Sequence, residues 1–556
     1  MRKRSSDLAI VASIWFFMAF ISGAQTWTSL DTPDSEFHAS MAIYGSEVTD
    51  RAATPVYYWT RLGFIAPAQA LTTLFGPITG LEILRLGVLL IIVAAIYVTL
   101  KTFTSRFNAS LLTLFIASNT VLLGYLGNPY PTTIISAGIF ILIALLITGN
   151  SRWRELCAGG VIAWLAMTNP YGAILGVVVY FSLLIALPNK DNSLRSLGRR
   201  AVLGILGFSA VFGALWLVGR KLFPTLDWLS TYIYWNSALK QSDYIYDLYR
   251  WTWDPSLLVM PITAVIAWIT WVKFRGVTQV RFAAVLATTI PVFALIYWKL
   301  FPSNYLEIPH YQALLWPTAL MAMALAATAW LPKVPLTWQR AVVAIGSVAV
   351  VILAGHSLFD FEVWQSRLIA LAAVIIFFLG RRHWSFILVG IAISFSLLQI
   401  LQNSRDSFGV SSQNLYSNSF RENEVELMVT SSVQAQDFVL TQTQPGDRTL
   451  TWVDADWESG EQSLLPLAAF QLWGANEAEH GPTVTQDTIA RWQGSKPLSI
   501  AMYGKSMDAV LRFWNSIPKE NLPTIPQCTE VSWTTPAVAN VCVTRLTWKG
   551  NEQSGQ

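Results

Sequence analysis

Charge is scarce in this chain. Only 13% of the 556 residues are Asp, Glu, Lys or Arg, 53% are hydrophobic and the mean hydropathy is +0.45. Soluble domains carry about 25% charge, so a water-soluble globule is excluded. Apolar stretches of about 20 residues recur through the first 400 positions and mark an integral membrane protein. Zinc-ligand spacing, a phosphate-cradling glycine loop and a Walker sequence are all missing, which argues against an energy-coupled pump. The apolar stretches themselves almost lack Asp, Glu and Lys. Ion-coupled carriers keep such groups inside their spans, so that class is disfavoured as well. There are three cysteines. Cys157 reads as a small apolar residue at a span end. Cys528 and Cys542 flank a turn-like Thr534-Thr-Pro536 and in an oxidising compartment can close a hairpin disulfide. The run from Leu8 to Ala24 has no small-residue cleavage site after it and reads as a retained span rather than a signal peptide. The net charge of +4 gives no reason to expect nucleic acid, because the basic residues follow membrane topology.

The chain is expected to be a polytopic α-helical membrane protein of about 13 transmembrane helices, near 8–24, 81–100, 107–127, 132–149, 156–168, 171–187, 201–219, 257–272, 281–299, 311–331, 341–358, 367–380 and 384–401. With Met1 cytoplasmic, 18 of the 27 basic residues before position 400 fall on the cytoplasmic side, as the positive-inside rule asks. Twelve acidic residues, from Asp31 to Glu362, fall on the outer side. Acidic charge has little influence on topology, so these point to chemistry that faces outward. Residues 1–402 then form a membrane module with a long outer loop at 25–80, and 403–556 an extracytoplasmic α+β domain. In that domain Arg448 to Val453 and Ala539 to Thr544 alternate like half-buried strands, and Ser506 to Trp514 reads as a short amphipathic helix.

The outer loop opens with Asp31-Thr-Pro-Asp34-Ser-Glu36-Phe-His38. Carboxylates at the end of a span are a site hypothesis by default. The competing reading is helix capping: Thr32 before Pro33 is an N-cap signal, with Asp34 and Glu36 favourably placed against the helix dipole. The helix opened by Asp34 and the stretch Ala66 to Phe75 read as interfacial and amphipathic, too short to span. Between them lie Tyr57, Tyr58 and Arg61, and the loop closes with Gly80, Glu82 and Arg85.

This layout resembles the GT-C superfamily of membrane glycosyltransferases, which use polyprenyl-phosphate-linked sugars. The resemblance rests on Asp34 and Glu36 in an acidic motif after the first span, on two juxtamembrane helices, on Tyr57 to Arg61, and on Gly80 and Arg85 in a Gly-x-x-x-x-Arg-like start to the second span. A later segment, Gly159-Gly160 through Thr168-Asn-Pro-Tyr171, is similar to one that often carries a lysine in the superfamily; here Asn169 stands instead. What the resemblance implies is hexosyl or pentosyl transfer from a polyprenyl-phosphate donor to a glycan, lipid or protein acceptor in cell-envelope and polysaccharide biosynthesis, in a bacterial cytoplasmic membrane. The alternative is a polyprenyl-lipid flippase or other transporter.

A polyprenyl phosphate is already a good leaving group, so one carboxylate suffices as general base on the acceptor hydroxyl. Asp34 is assigned that role, with Glu36 orienting the acceptor or holding an ion, and Asp31 beside them in substrate binding. His38 shares a helix face with Asp34 at i+4, either touching substrate or hydrogen-bonded as a structural residue. Arg85 is placed to meet the phosphate or else to pair with Glu82; Arg61 and Arg250 are alternatives. Tyr130 and Tyr171 sit at two Asn-Pro turns that break helical hairpins and can line a sugar site. The aromatic-rich 227–254 loop suits both an interfacial belt and sugar stacking. Glu307 and His310 share a turn that either joins the acceptor site or is self-satisfied. The motifs specify no cofactor; a divalent cation, Mg or Mn, is compatible with the acidic residues. Asp454-Ala-Asp456-Trp-Glu458 reads as a solvated acidic loop.

Overall fold

The computed structural model of the protein describes residues 2–22, 34–49, 60–119, 130–148, 153–186, 194–224, 255–300, 314–331, 422–444, 447–454, 478–479, 483–485, 499–518, 523–532 and 538–546, with single positions 122, 126, 227, 230, 231 and 233. Thirteen helices precede residue 340 among them: α1 (Arg2–Ser22), α2 (Asp34–Tyr44), α3 (Ser46–Thr49), α4 (Leu62–Phe75), α5 (Pro77–Lys101), α6 (Arg106–Ala117), α7 (Pro131–Thr148), α8 (Trp153–Thr168), α9 (Pro170–Ala186), α10 (Leu194–Leu222), α11 (Pro255–Lys273), α12 (Thr278–Leu300) and α13 (Trp316–Trp330). Ten of these occupy expected span ranges, and the last three expected ranges lie outside the described residues. Within α5, α7, α10 and α12 the apolar run is long enough to cross a membrane by length and composition.

Local chemistry sets the helix ends. Asn169 accepts a hydrogen bond from the Tyr171 backbone N–H at 3.0 Å, so Asn169-Pro170 is an N-cap followed by proline in the first turn of α9. Two ends differ from expectation. Helix α6 closes at Ala117 rather than near 127, because Asn119 turns its side chain onto the Leu122 N–H at 3.1 Å and caps a new turn inside the apolar run. Helix α5 starts at Pro77 rather than 81, which sets Arg85 about two turns inside the helix instead of one.

Neighbouring helices are tied through polar contacts. Asp7 of α1 pairs with Lys101 at the end of α5 and with Arg106 at the start of α6, the latter at 2.9 Å. Further along, Trp15 of α1 donates to the Leu86 carbonyl of α5 at 2.9 Å. Lys273, ending α11, lies 4.0 Å over the Trp330 ring that ends α13.

Helices α8 and α10 run parallel and touch through glycine. A Cβ at Gly159 would lie 1.9 Å from the Gly204 carbonyl oxygen, and one at Gly207 1.9 Å from that of Leu156. Only hydrogen fits there, the small-residue solution to helix association in lipid. The rest of α10 turns outward, exposing Val202, Ile205, Leu206 and Leu217.

The C-terminal part comprises α14 (Glu422–Gln442), β1 (Thr449–Val453), β2 (Ala478–Glu479), β3 (Ser499–Gly504), α15 (Met507–Ser516), β4 (Gln527–Ser532) and β5 (Val538–Arg545). The strands form one sheet in the order β2-β1-β3-β5-β4, with β1 parallel to β2 and β3 and the β3–β5 and β5–β4 pairs antiparallel. Strand β1 and the interior of β5 are buried at every position, not on alternate residues as expected. For β5 the cover comes from two helices: α14 packs against β4 and β5, and α15 against β3 and β5. Trp452 stacks on Phe513 of α15 at 4.5 Å, and Ser506 caps α15 by accepting the Ala509 N–H. Cys528 and Cys542 are direct cross-strand partners in β4 and β5 and are joined by a disulfide.

Candidate active site

Helix α4 lies across one end of the bundle. Its first turn meets the end of α8, where the Trp164 indole donates to the Gly63 carbonyl at 2.9 Å, and its last turns reach the start of α5. Leu62 packs against the position of Gly219 near the end of α10. Arg61, at the N-cap of α4, is buried.

Helix α2 runs along α4 in the same direction. The Thr72 hydroxyl of α4 donates to the Ala42 carbonyl at 2.8 Å, and Gln69 fills the space beside Gly45. Gly45 ends α2 with φ +55°, and a Cβ there would lie 2.1 Å from the Gln69 amide nitrogen. An interfacial helix keeps one wet face. Among the described side chains of α2, Phe37 through Ala42 are all buried, where the amphipathic interfacial reading expects a wet face. The burial comes from α4 and Tyr130, and the last residue of α2 also meets a segment almost 400 residues away. The Tyr44 hydroxyl lies 3.0 Å from Asp437 Oδ1 and 3.2 Å from the Val433 carbonyl, both on α14, and Val433 packs onto the membrane-module core.

The expected site residues are distributed as follows. The backbone of Asp34 opens α2, and Glu36 and His38 follow in its first two turns. The His38 ring meets Tyr130 edge-on at 5.2 Å and Phe64 at 5.8 Å. Burial, reinforced by the nearby Arg61 charge, holds the His38 imidazole well below its ordinary pKa, so it is neutral. Tyr130 thus joins the α2 layer, whereas Tyr171 is buried in the bundle core. Arg85 is buried along α5 with Glu82 at 3.9 Å. Asp31, Tyr57, Tyr58, Arg250, Glu307 and His310 lie outside the described residues. Among the described residues no three His, Cys, Asp or Glu side chains gather as a metal-ligand group. Asp454 accepts the Lys505 N–H at 3.2 Å, a turn contact within the sheet domain.

Sequence reasoning missed Tyr44, Val433 and Asp437. The available signal was the run Ser419 to Gln444, free of glycine and proline, within which α14 lies.

No protein-family model matches the chain, and no curated protein matches it in sequence. Solved structures do match. ArnT from Cupriavidus metallidurans in the apo state is similar with a TM-score of 0.51 at 13% identity, over 97% of each chain. The same protein bound to undecaprenyl phosphate gives 0.50 at 12% identity, again over 97% of each. The archaeal oligosaccharyltransferase AglB from Archaeoglobus fulgidus, solved with an inhibitory peptide and a dolichol-phosphate, gives 0.39 at 10% identity over 88% of this chain and 69% of that one. At such identities the likeness is one of fold, and this chain shares its overall fold with ArnT.

Proposed function

From that fold as premise, we propose that the protein is a membrane glycosyltransferase that moves a sugar from a polyprenyl phosphate to an acceptor hydroxyl on the outer side of a bacterial cytoplasmic membrane. The observation that carries this reading is the end-to-end match to a GT-C protein crystallised with undecaprenyl phosphate, in a chain whose α2 opens at Asp34.

The Asp34 carboxylate takes the acceptor proton as the acceptor oxygen bonds to the anomeric carbon. The bond from that carbon to the phosphate oxygen breaks, and polyprenyl phosphate leaves with the electron pair. Glu36 orients the acceptor, and Asp31, Tyr57 and Tyr58 extend its binding. Two guanidinium groups, Arg61 at the start of α4 and Arg85 in α5, supply fixed positive charge for the departing phosphate. Neutral His38 holds its ring against Tyr130 and Phe64 and supports α2 from beneath. Glu307 and His310 complete the acceptor side.

Transfer of radiolabelled sugar from a panel of polyprenyl-phosphate sugars, in membranes carrying wild type, Asp34→Asn or Glu36→Gln at matched abundance, tests the reading. Loss of a general base lowers the rate by about 10²–10⁴-fold. A fully active Asp34→Asn removes the base assignment. A wild type that consumes no donor removes the transferase reading and favours a flippase.

A further inference from the structure

Helix α2 begins at Asp34 and ends at Tyr44, so the Tyr44 hydroxyl is the far anchor of the helix that carries the proposed base, about 15 Å along its axis. The groups that hold this end come from two places. Thr72 grips the Ala42 carbonyl from α4, and Asp437 with the Val433 carbonyl grips Tyr44 from α14. Burial and the Asp437 carboxylate both push the Tyr44 hydroxyl far above its ordinary pKa, so it remains a donor at every physiological pH. A phenol donating to a carboxylate is a charge-assisted bond, stronger than one to a neutral acceptor.

We infer that the C-terminal domain is part of the catalytic apparatus: by accepting from Tyr44, Asp437 acts as a positioning residue that fixes the rotation and depth of α2 and thereby the place of Asp34. This rests on the assignment of Asp34 as base under the proposed function. A domain serving acceptor recognition alone has no need of a carboxylate directed at the last turn of the base-bearing helix. Base catalysis depends steeply on placement, and a displacement of about 1 Å costs about 10²-fold in rate.

The test uses the full-length protein in nanodiscs with four variants: Tyr44→Phe and Asp437→Ala, which remove the bond; Asp437→Asn, which keeps an acceptor oxygen; and Arg448→Ala, an exposed change elsewhere in the domain, as control. Two readouts are taken, transfer kinetics and amide deuterium uptake over 34–44. Tyr44→Phe and Asp437→Ala are expected to lower kcat about tenfold to a hundredfold with the donor KM unchanged, and to raise uptake over 34–44. Asp437→Asn restores both, and Arg448→Ala moves neither. Unchanged uptake in Tyr44→Phe and Asp437→Ala overturns the inference, as does a rise confined to the acceptor KM, which would make the domain a binding module only. If the wild type transfers no sugar, the transferase reading fails, and deuterium uptake alone decides whether Asp437 holds α2.

Discussion

The crossing of α8 and α10 gives the sharpest test of how the helices are held together. A Cβ added at Gly159 would sit 1.9 Å from the Gly204 oxygen, whereas Cβ contacts below 3.0 Å essentially never occur in proteins. The obstacle is a backbone carbonyl, which has no rotamer to adopt, so the helices must separate by more than an ångström. Overpacking of this kind costs typically 1–3 kcal/mol, and with two backbones opposed Gly159→Ala belongs at the top, about 3 kcal/mol. Replacing glycine within a helix returns about 1 kcal/mol through backbone entropy. The net expectation is a loss of about 2 kcal/mol. Gly198 and Gly213 lie on the same α10 with nothing within 4 Å of a built Cβ, so Gly213→Ala carries only the gain. The two variants therefore differ by about 3 kcal/mol in opposite directions.

Equilibrium unfolding in mixed micelles reads this difference. Gly207→Ala meets the Leu156 oxygen at the same 1.9 Å and parts the same helices, so Gly159→Ala/Gly207→Ala is expected to cost less than the sum of the single changes. Indistinguishable stabilities of Gly159→Ala and Gly213→Ala would refute the crossing.

Two further outcomes follow from the contacts. Because the folded pKa of His38 is depressed while the unfolded value is about 6.5, the unfolded chain binds the extra proton between those values. Stability is then flat above about pH 6.5 and falls by up to about 1.4 kcal/mol per pH unit below it; His38→Phe should flatten that portion in unfolding measured at pH 5 and pH 7, and an unchanged slope would place the proton elsewhere. The disulfide between Cys528 and Cys542 closes a loop with a sequence separation of 14, so Cys528→Ser/Cys542→Ser should destabilise the C-terminal sheet by about 3 kcal/mol, seen as a lowered unfolding midpoint in oxidising buffer but not after full reduction of both proteins.

What could be read from the residues alone was whatever is decided within a few positions. The Asn169-Pro170 boundary is a cap and a first-turn proline. The helix after Ser506 carries its own N-cap signal, and α4 lies within a loop whose apolar content announced a helix there. The acidic opening of α2 likewise marked a helix start. The early end of α6 was hidden because Asn119 caps a turn inside an otherwise continuous apolar run. Strands β1 and β5 looked one-sided because threonine alternates with apolar residues, yet Thr449, Thr451 and Thr544 are buried as well, by tertiary packing that pattern reading cannot place. The contact at the end of α2 was out of reach because Tyr44 meets Asp437 across a separation of 393 residues, and neither side chain signals the other.

The contacts that stack the layers of the site share a chemical form that bears on how this fold persists at low sequence identity. Trp15 donates to the Leu86 carbonyl, Trp164 to that of Gly63, Thr72 to that of Ala42 and Tyr44 to that of Val433. In each the acceptor is backbone, present whatever residue occupies the position, so geometry depends on one side chain rather than on a matched pair. Leu86 and Val433 can therefore change without moving the layers, provided the space they fill is refilled. The Tyr44–Asp437 bond departs from this form, since both partners are side chains and loss of the hydroxyl or of the acceptor oxygen removes it. A chain that needed only to hold its C-terminal domain near α2 already has the Val433 carbonyl for that purpose. The added carboxylate makes the placement of α2 depend on a specific residue of the distal domain, a dependence that simple tethering does not require and that fixed placement of Asp34 does.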